Sequence, residues 1–342
     1  MQEEKEHKTL IDLLNDKQVV SIVGNSKNAG KTTVLNFLLS KYQEQVVGIT
    51  SIGLDGEKID QVTFLPKPRI HTYKGMIVAT AKDCLEQCTA GYEIIKETNI
   101  KSSLGEIVII KIIEEGNCLV GGPSNLKDIK LITDELKNLD CYKVLLDGAF
   151  SRTTLASVSD ATILAIGASF SSNIEKIVLH AKNTVKLFGL KKYIGELDFS
   201  IYKNITLVFK NNETKELTYD STLDFGKTII KEIKAEATFG ELKYIYIPKA
   251  VSPSFLKALI EARNFIRADI ITTNPTNLLV DDKLINYLFK LENKVYVLEE
   301  INLVAITINP FSPKGNVSAD LLKKRLKEEI DLEIFNVLEK SS

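Results

Sequence analysis

Val19-Val20-Ser21-Ile22-Val23-Gly24-Asn25-Ser26-Lys27-Asn28-Ala29-Gly30-Lys31-Thr32-Thr33-Val34-Leu35-Asn36-Phe37-Leu38-Leu39 is the stretch on which the reading of this chain turns. It opens as an apolar run of strand length and passes through a loop of small and polar residues. It then sets Val34, Leu35, Leu38, Leu39 and Tyr42 on one stripe of period 3.6, which predicts a helix over Lys31–Tyr42. A Gly-Lys pair opening a helix after a buried strand predicts a loop whose backbone N–H groups turn inward around phosphate. The helix N-terminus adds partial positive charge, Lys31 a full charge for the β- and γ-phosphates, and Thr32 a hydroxyl for Mg2+. Gly30 carries no side chain to crowd the phosphate, and Ala29 keeps the approach nearly as open. The expected nucleotide-binding set is Gly24, Asn25, Ser26, Lys27, Asn28, Ala29, Gly30, Lys31, Thr32 and Thr33, with Lys31 catalytic.

The loop departs from the common count. The pattern G-x-x-x-x-G-K-[ST] puts its first glycine at position 25, which is Asn25, and Gly24 comes one step too early. Asn25 or Asn28 is therefore expected to take up the glycine's positive φ, with one extra residue bulging the loop. Lys27 is the second departure. In nucleotide-switch ATPases an additional loop lysine reaches the phosphates of a partner subunit, but the step from Lys27 to Lys31 is one shorter than in that signature. A catalytic Lys27 and a homodimer stay open on this reading.

Such a site needs carboxylates for Mg2+ and water, and two stand at the ends of predicted strands. Val144-Leu145-Leu146-Asp147-Gly148 is an apolar run ended by an acid and a glycine, which places Asp147 at a strand's carboxyl end. Asp55, in Gly53-Leu54-Asp55-Gly56-Glu57, follows Thr32 by 23 residues, where switch-type enzymes keep a magnesium-linked Asp. The expected metal set is Thr32, Asp55 and Asp147, with both acids also counted as catalytic; an ordinary strand-end Asp is the competing reading of Asp147.

The rest of the chain repeats the strand–helix alternation. Val19–Val23, Val46–Thr50, Met76–Thr80, Ile107–Ile113, Val144–Asp147 and Thr162–Ile166 read as strands buried on both faces, and Leu126–Leu139 as a helix. Texture changes around 190–240, where a hairpin is expected from Ile205–Lys210 and Glu216–Tyr219 around Asn211-Asn212. Alternation then resumes with strands Tyr244–Ile247, Asp269–Thr273, Val295–Leu298 and Leu303–Ile308 and helices capped by Ser252 and Ser318. The fold class is α/β, a doubly wound, mostly parallel sheet of P-loop NTPase type with a second α/β lobe. The expected divisions are 1–190, a β-rich connection 191–240 and a lobe 241–342.

A length of 342 residues is about two domains' worth. Lys plus Arg (44) against Asp plus Glu (45) leaves a formal charge of −1, which argues against a protein that neutralises many phosphates of nucleic acid. The start, MQEEKEHKTL, lacks the basic and then apolar order of a secretory leader, and no run of 18 apolar residues occurs, so the expectation is cytoplasmic with no membrane partner. Cys84, Cys88, Cys118 and Cys141 form no CxxC pair, and Cys84 and Cys88 fit packing on a helical segment better than metal. His180 falls on the polar edge of its helix and reads as solvated.

Thr162–Ile174 gives strand, small polar loop and helix start where dethiobiotin synthetase and its relatives keep a substrate-side loop, a loose resemblance. Ser169, Ser171 and Ser172 could contact phosphate or a partner there, or Ser171 or Ser172 could simply cap the helix. No Asn-Lys-x-Asp guanine motif occurs; Asn125-Leu126-Lys127-Asp128 has the wrong order, so adenine is favoured. Asn309 at a strand end could touch a base edge, and a turn explains Asn309-Pro310 equally well.

Taken together, Gly24-x-x-Lys27-Asn28-Ala29-Gly30-Lys31-Thr32, Gly53-x-Asp55-Gly56-Glu57, Ile77–Ala81, Gly105–Val108, Asp147-Gly148-Ala149-Phe150-Ser151-Arg152, Gly167-Ala168-Ser169 and Asn309-Pro310-Phe311-Ser312-Pro313 resemble the ATPase subunit of the lysine 5,6-aminomutase reactivase over most of the chain. The loop resembles that family's in its unusual count. This resemblance implies a Mg-ATP-dependent ATPase working with a MutS-like second subunit. It would restore a damaged adenosylcobalamin-dependent lysine or ornithine aminomutase by driving release of dead cobalamin. Arg152 would sense the γ-phosphate, dock the partner or form a surface ion pair. A dethiobiotin-synthetase-like ligase and a cofactor-maturation NTPase are the other readings kept.

Overall fold

Six consecutive buried residues, Val19–Gly24 (β1), form a central parallel strand in the computed structural model, which describes residues 8–52, 69–148, 158–289, 294–313 and 315–339. On one side lies Lys143–Asp147 (β8), on the other Ala161–Gly167 (β9), all three buried along nearly their whole length as doubly covered strands are. Beyond β8 come Val47–Ser51 (β2), Ile77–Ala81 (β4), Gly105–Glu114 (β6) and Gly91–Ser102 (β5); beyond β9 come Leu303–Asn309 (β15) and Glu333–Phe335 (β16). Pairing is parallel from β16 to β4, and β6 and β5 close the sheet as an antiparallel hairpin. Ile70–Thr72 (β3) and Gly116–Cys118 (β7) pair separately. All six strands expected in the first half belong to this nine-stranded sheet.

Helices cover both faces. Val34, Leu35, Leu38 and Leu39 of Lys31–Lys41 (α1) share one core with Val20, Ile22, Val47, Ile49, Leu145, Ile163 and Ala305. Gly48 alternates to the other face, where a Cβ would meet Leu136 of Leu126–Asn138 (α2) at 3.2 Å. Asn125 caps α2 by accepting from Asp128 N and donating to Asp128 Oδ2, so this near-match to a guanine motif is a helix N-cap. Lys143 is 1% exposed and donates to the carbonyls of Leu14 (2.6 Å), Asn15 (3.0 Å) and Lys17 (2.7 Å), tying the turn Asp12–Leu14 to the base of β8. Buried lysines survive only with such partners.

The chain divides into two compact units, Met1–Ala181 with Asn302–Ser342, and Lys182–Ile301. The division does not fall at 190 and 240: Thr206–Phe209 pairs with Leu242–Ile247 across position 240, and β15 leaves the second half and pairs with β9 in the first sheet. One helix, Ile174–Phe188 (α3), runs across the division. Ala319–Glu329 (α7), capped by Ser318, completes the first unit. The second unit has its own sheet in the order Thr214–Glu216 (β11), Thr206–Phe209 (β10), Leu242–Ile247 (β12), Asp269–Thr272 (β13) and Val295–Val297 (β14). Gly226–Glu236 (α4), Pro253–Glu261 (α5) and Asp282–Leu288 (α6) pack their apolar stripes into a second core with it. The hairpin partner expected at Glu216–Tyr219 begins earlier, because Asn212 at φ 66° turns the chain tightly enough to set Thr214 against Val208. Among the described residues no helix is long and apolar enough to cross a membrane.

Candidate functional site

At the carboxyl end of the first sheet the strand connections diverge: the chain leaves β1 through α1 toward β2, and leaves β9 toward β15 on the opposite side. Open parallel sheets carry their crevice at such a point. Side chains alternate along a strand, so Ser51, Asp147, Gly24, Gly167 and Asn309 all end their strands on the face that carries α1. Residues distant in sequence are thus gathered around 24–33.

Asn28 (φ 58°) and Gly30 (φ 98°) are left-handed, separated by buried Ala29. Alternating handedness of this kind turns successive N–H groups to one side, forming an anion-binding concavity. Asn28, not Asn25, fills the glycine's conformational role. Gly30 is the N-cap of α1 and offers no side-chain acceptor; the first intrahelical bond runs from Val34 N to Gly30 O (3.0 Å). The amides of Lys31, Thr32 and Thr33 precede it and belong to the part of a helix left open to an external acceptor.

Lys31 folds back along Gly24, with its Nζ 3.4 Å from the carbonyl of Ser26. Burial pushes this ammonium below its ordinary value, and Asp147 opposes the shift. Asp147 is pinned by its backbone: Ile52 N donates to its carbonyl and Gly148 N to the carbonyl of Ile22. Its carboxyl is pushed up to about 6 by burial, with Lys31 pulling the other way. Asp147 Oδ1 and Asn25 Nδ2 are buried with no hydrogen-bond partner, and Asn25 is 7% exposed. Buried polar atoms of this kind beside an open helix N-terminus are ones that a polar ligand would satisfy.

The neighbouring loops close around this point. Ser26 Oγ and Ser169 Oγ share a hydrogen bond of 2.6 Å, so the loop after β9 touches the loop after β1. Neither Ser171 nor Ser172 caps α3 directly: Asn173 Oδ1 accepts from Lys176 N, and Ser171 Oγ supports Asn173. His180 is not simply solvated; its ring stacks on Phe170 at 4.3 Å and 13°. Thr32 is half-buried, Thr33 and Lys27 exposed. Asp55 and Arg152 lie outside the described residues. None of the four cysteines is in a disulfide; Cys84 lies within a 3-10 helix (Lys82–Gln87) and Cys88 is its C-cap, so the two do not share an α-helical face. Among the described residues no three His, Cys, Asp or Glu side chains come together to hold a metal ion. Asp147 at the end of β8 and Thr32 in the first turn of α1 carry oxygen donors of the kind Mg2+ takes, held as it is by one or two carboxylates plus substrate phosphates.

Sequence reasoning named Ser26, Ser169 and Asn309 but not the contacts they make, Ser26 with Ser169 and Asn309 with Asn28. No local pattern reports contacts across 143 and 281 residues. No known protein family, no curated protein and no solved structure matches the chain.

Proposed function

We propose that the protein is a P-loop ATPase that binds Mg-ATP in the concavity of residues 24–33 and hydrolyses it. The observation that carries this reading is the conjunction of an open helix N-terminus, a lysine laid along it and a buried carboxylate oxygen without a partner. Lys31 holds a positive charge beside the loop amides, where β- and γ-phosphate oxygens would be received. Asp147 and Thr32 would hold Mg2+, with Asp55 as a second acid; bound metal supplies neutralisation of the charge that develops on the transferred phosphoryl group. Near neutral pH Asp147 is largely ionised, which suits it to a cation or to orienting water. Lys27 is exposed on the loop, and in a homodimer it would act on the phosphates of the second copy.

The biological setting rests on the family resemblance alone. In it, hydrolysis drives a MutS-like partner subunit and an adenosylcobalamin-dependent lysine or ornithine aminomutase toward a state that binds damaged cobalamin weakly. The test is ATP turnover by the purified chain with and without such an aminomutase carrying inactive cobalamin. Stimulation by the mutase and release of cobalamin support the reading. A rate that depends instead on a small carboxylate metabolite would replace it with a dethiobiotin-synthetase-like ligase.

A further inference from the structure

Asn309, the last residue of β15, reaches the 24–33 loop from the other end of the first unit's sequence. Its Nδ2 donates to the carbonyl of Asn28 at 3.1 Å, and its Oδ1 accepts from Phe311 N at 3.2 Å. Both ends of the amide are engaged by backbone, the use expected of a turn residue rather than of a base-reading one. The residue is itself held firmly. Ala168 N donates to its carbonyl at 3.0 Å, and β15 approaches β9 so closely that a Cβ on Gly167 would stand 2.0 Å from that oxygen. On the loop side, a Cβ on Gly30 would stand 3.1 Å from Asn309 Cβ.

The bonded carbonyl belongs to the left-handed non-glycine residue of the loop. In a planar trans peptide the C=O of Asn28 and the N–H of Ala29 point in opposite directions. A rotation of that peptide would exchange them, presenting an oxygen where the N–H had been. An anion site cannot tolerate that exchange, and Asn309 opposes it by holding the carbonyl on its own side. We propose that Asn309 is a positioning residue: its amide locks the 28–29 peptide and so keeps the loop in its anion-receiving form. The consequence for nucleotide rests on the Mg-ATP reading; the lock itself does not.

The test compares the full chain with Asn309→Ala and Asn309→Leu, the second filling the space without supplying a donor. Amide hydrogen exchange of peptides covering residues 24–33 is followed without nucleotide, and Mg-ATP binding by calorimetry. The lock predicts exchange about tenfold faster in both variants and a Kd for Mg-ATP raised about tenfold, about 1.4 kcal/mol. The melting temperature of both variants should stay within about 2 °C of wild type, so that a raised Kd reports the loop rather than a general loss of structure. Loop exchange unaltered in Asn309→Ala, or restored by Asn309→Leu, overturns the proposal, the latter because packing alone would then suffice. A wild-type chain that fails to bind Mg-ATP would sink the ATPase reading, and the exchange data would still decide for or against the lock.

Discussion

Lys31 occupies the space that a side chain at Gly24 would need: a Cβ built there lies 3.1 Å from its Cγ and Cδ and 3.2 Å from its Nζ. A missing methyl on the last residue of β1 is thus what lets the ammonium lie back over the loop. In Gly24→Ala the flexible lysine gives way rather than the strand. Mg-ATP affinity should fall about five- to tenfold, near 1–1.4 kcal/mol, while the melting temperature moves by no more than about 1 °C, a shift of a few tenths of a kcal/mol for a domain of this size. Calorimetry and thermal unfolding on the same preparation check both halves.

Asp147 should leave a signature in stability as well as in turnover. Its folded value of about 6 lies above the ordinary 3.8, so the native state binds more protons than the unfolded chain between these limits. Stability therefore falls as pH rises through that window and gains nothing further below it. Asp147→Asn removes the buried charge, and the variant should be more stable than wild type at pH 7 by about 2–3 kcal/mol, with the difference gone near pH 4. Urea denaturation at the two pH values measures it. Turnover should drop at least about a hundredfold while nucleotide binding persists; wild-type turnover would remove the carboxylate from the mechanism.

Lys143 gives a prediction free of any nucleotide. Replacing it by Met strands the carbonyls of Leu14, Asn15 and Lys17, which now share one ammonium. A loss of about 3 kcal/mol is expected from the abandoned acceptors. It should be read as a lowered urea midpoint with unchanged slope, and a variant as stable as wild type would show that water replaces the lysine without cost.

What could be read in advance followed from local periodicity. The burial of Val20 and Ile22 in β1 and of Val34, Leu35, Leu38 and Leu39 in α1 was legible because strand and helix periods differ. Asp147 was legible because an acid ends an apolar run. The strand β5 was not, since it lies at the sheet edge with exposed Ile94, Ile95 and Lys96 and register shifts at Ile94/Lys96 and Glu97/Lys101, which spoil the alternation. Nor was the return of β15 to the first sheet, because a parallel crossover is decided by contacts that no neighbouring residue encodes. Asn28 and Asn25 were equal candidates for positive φ by residue type; of the two, Asn28 is the one whose backbone the amide of Asn309 engages.

The central claim is that residues 24–33 receive a triphosphate, and the most direct measurement is calorimetric titration of Mg-ATP into wild-type protein and Lys31→Ala. Lys31 supplies the full positive charge beside the loop amides, so the account predicts saturable binding at one site per chain in wild type and none detectable in the variant, with both proteins equally folded. Equal binding by the two, or no binding by either, would contradict it.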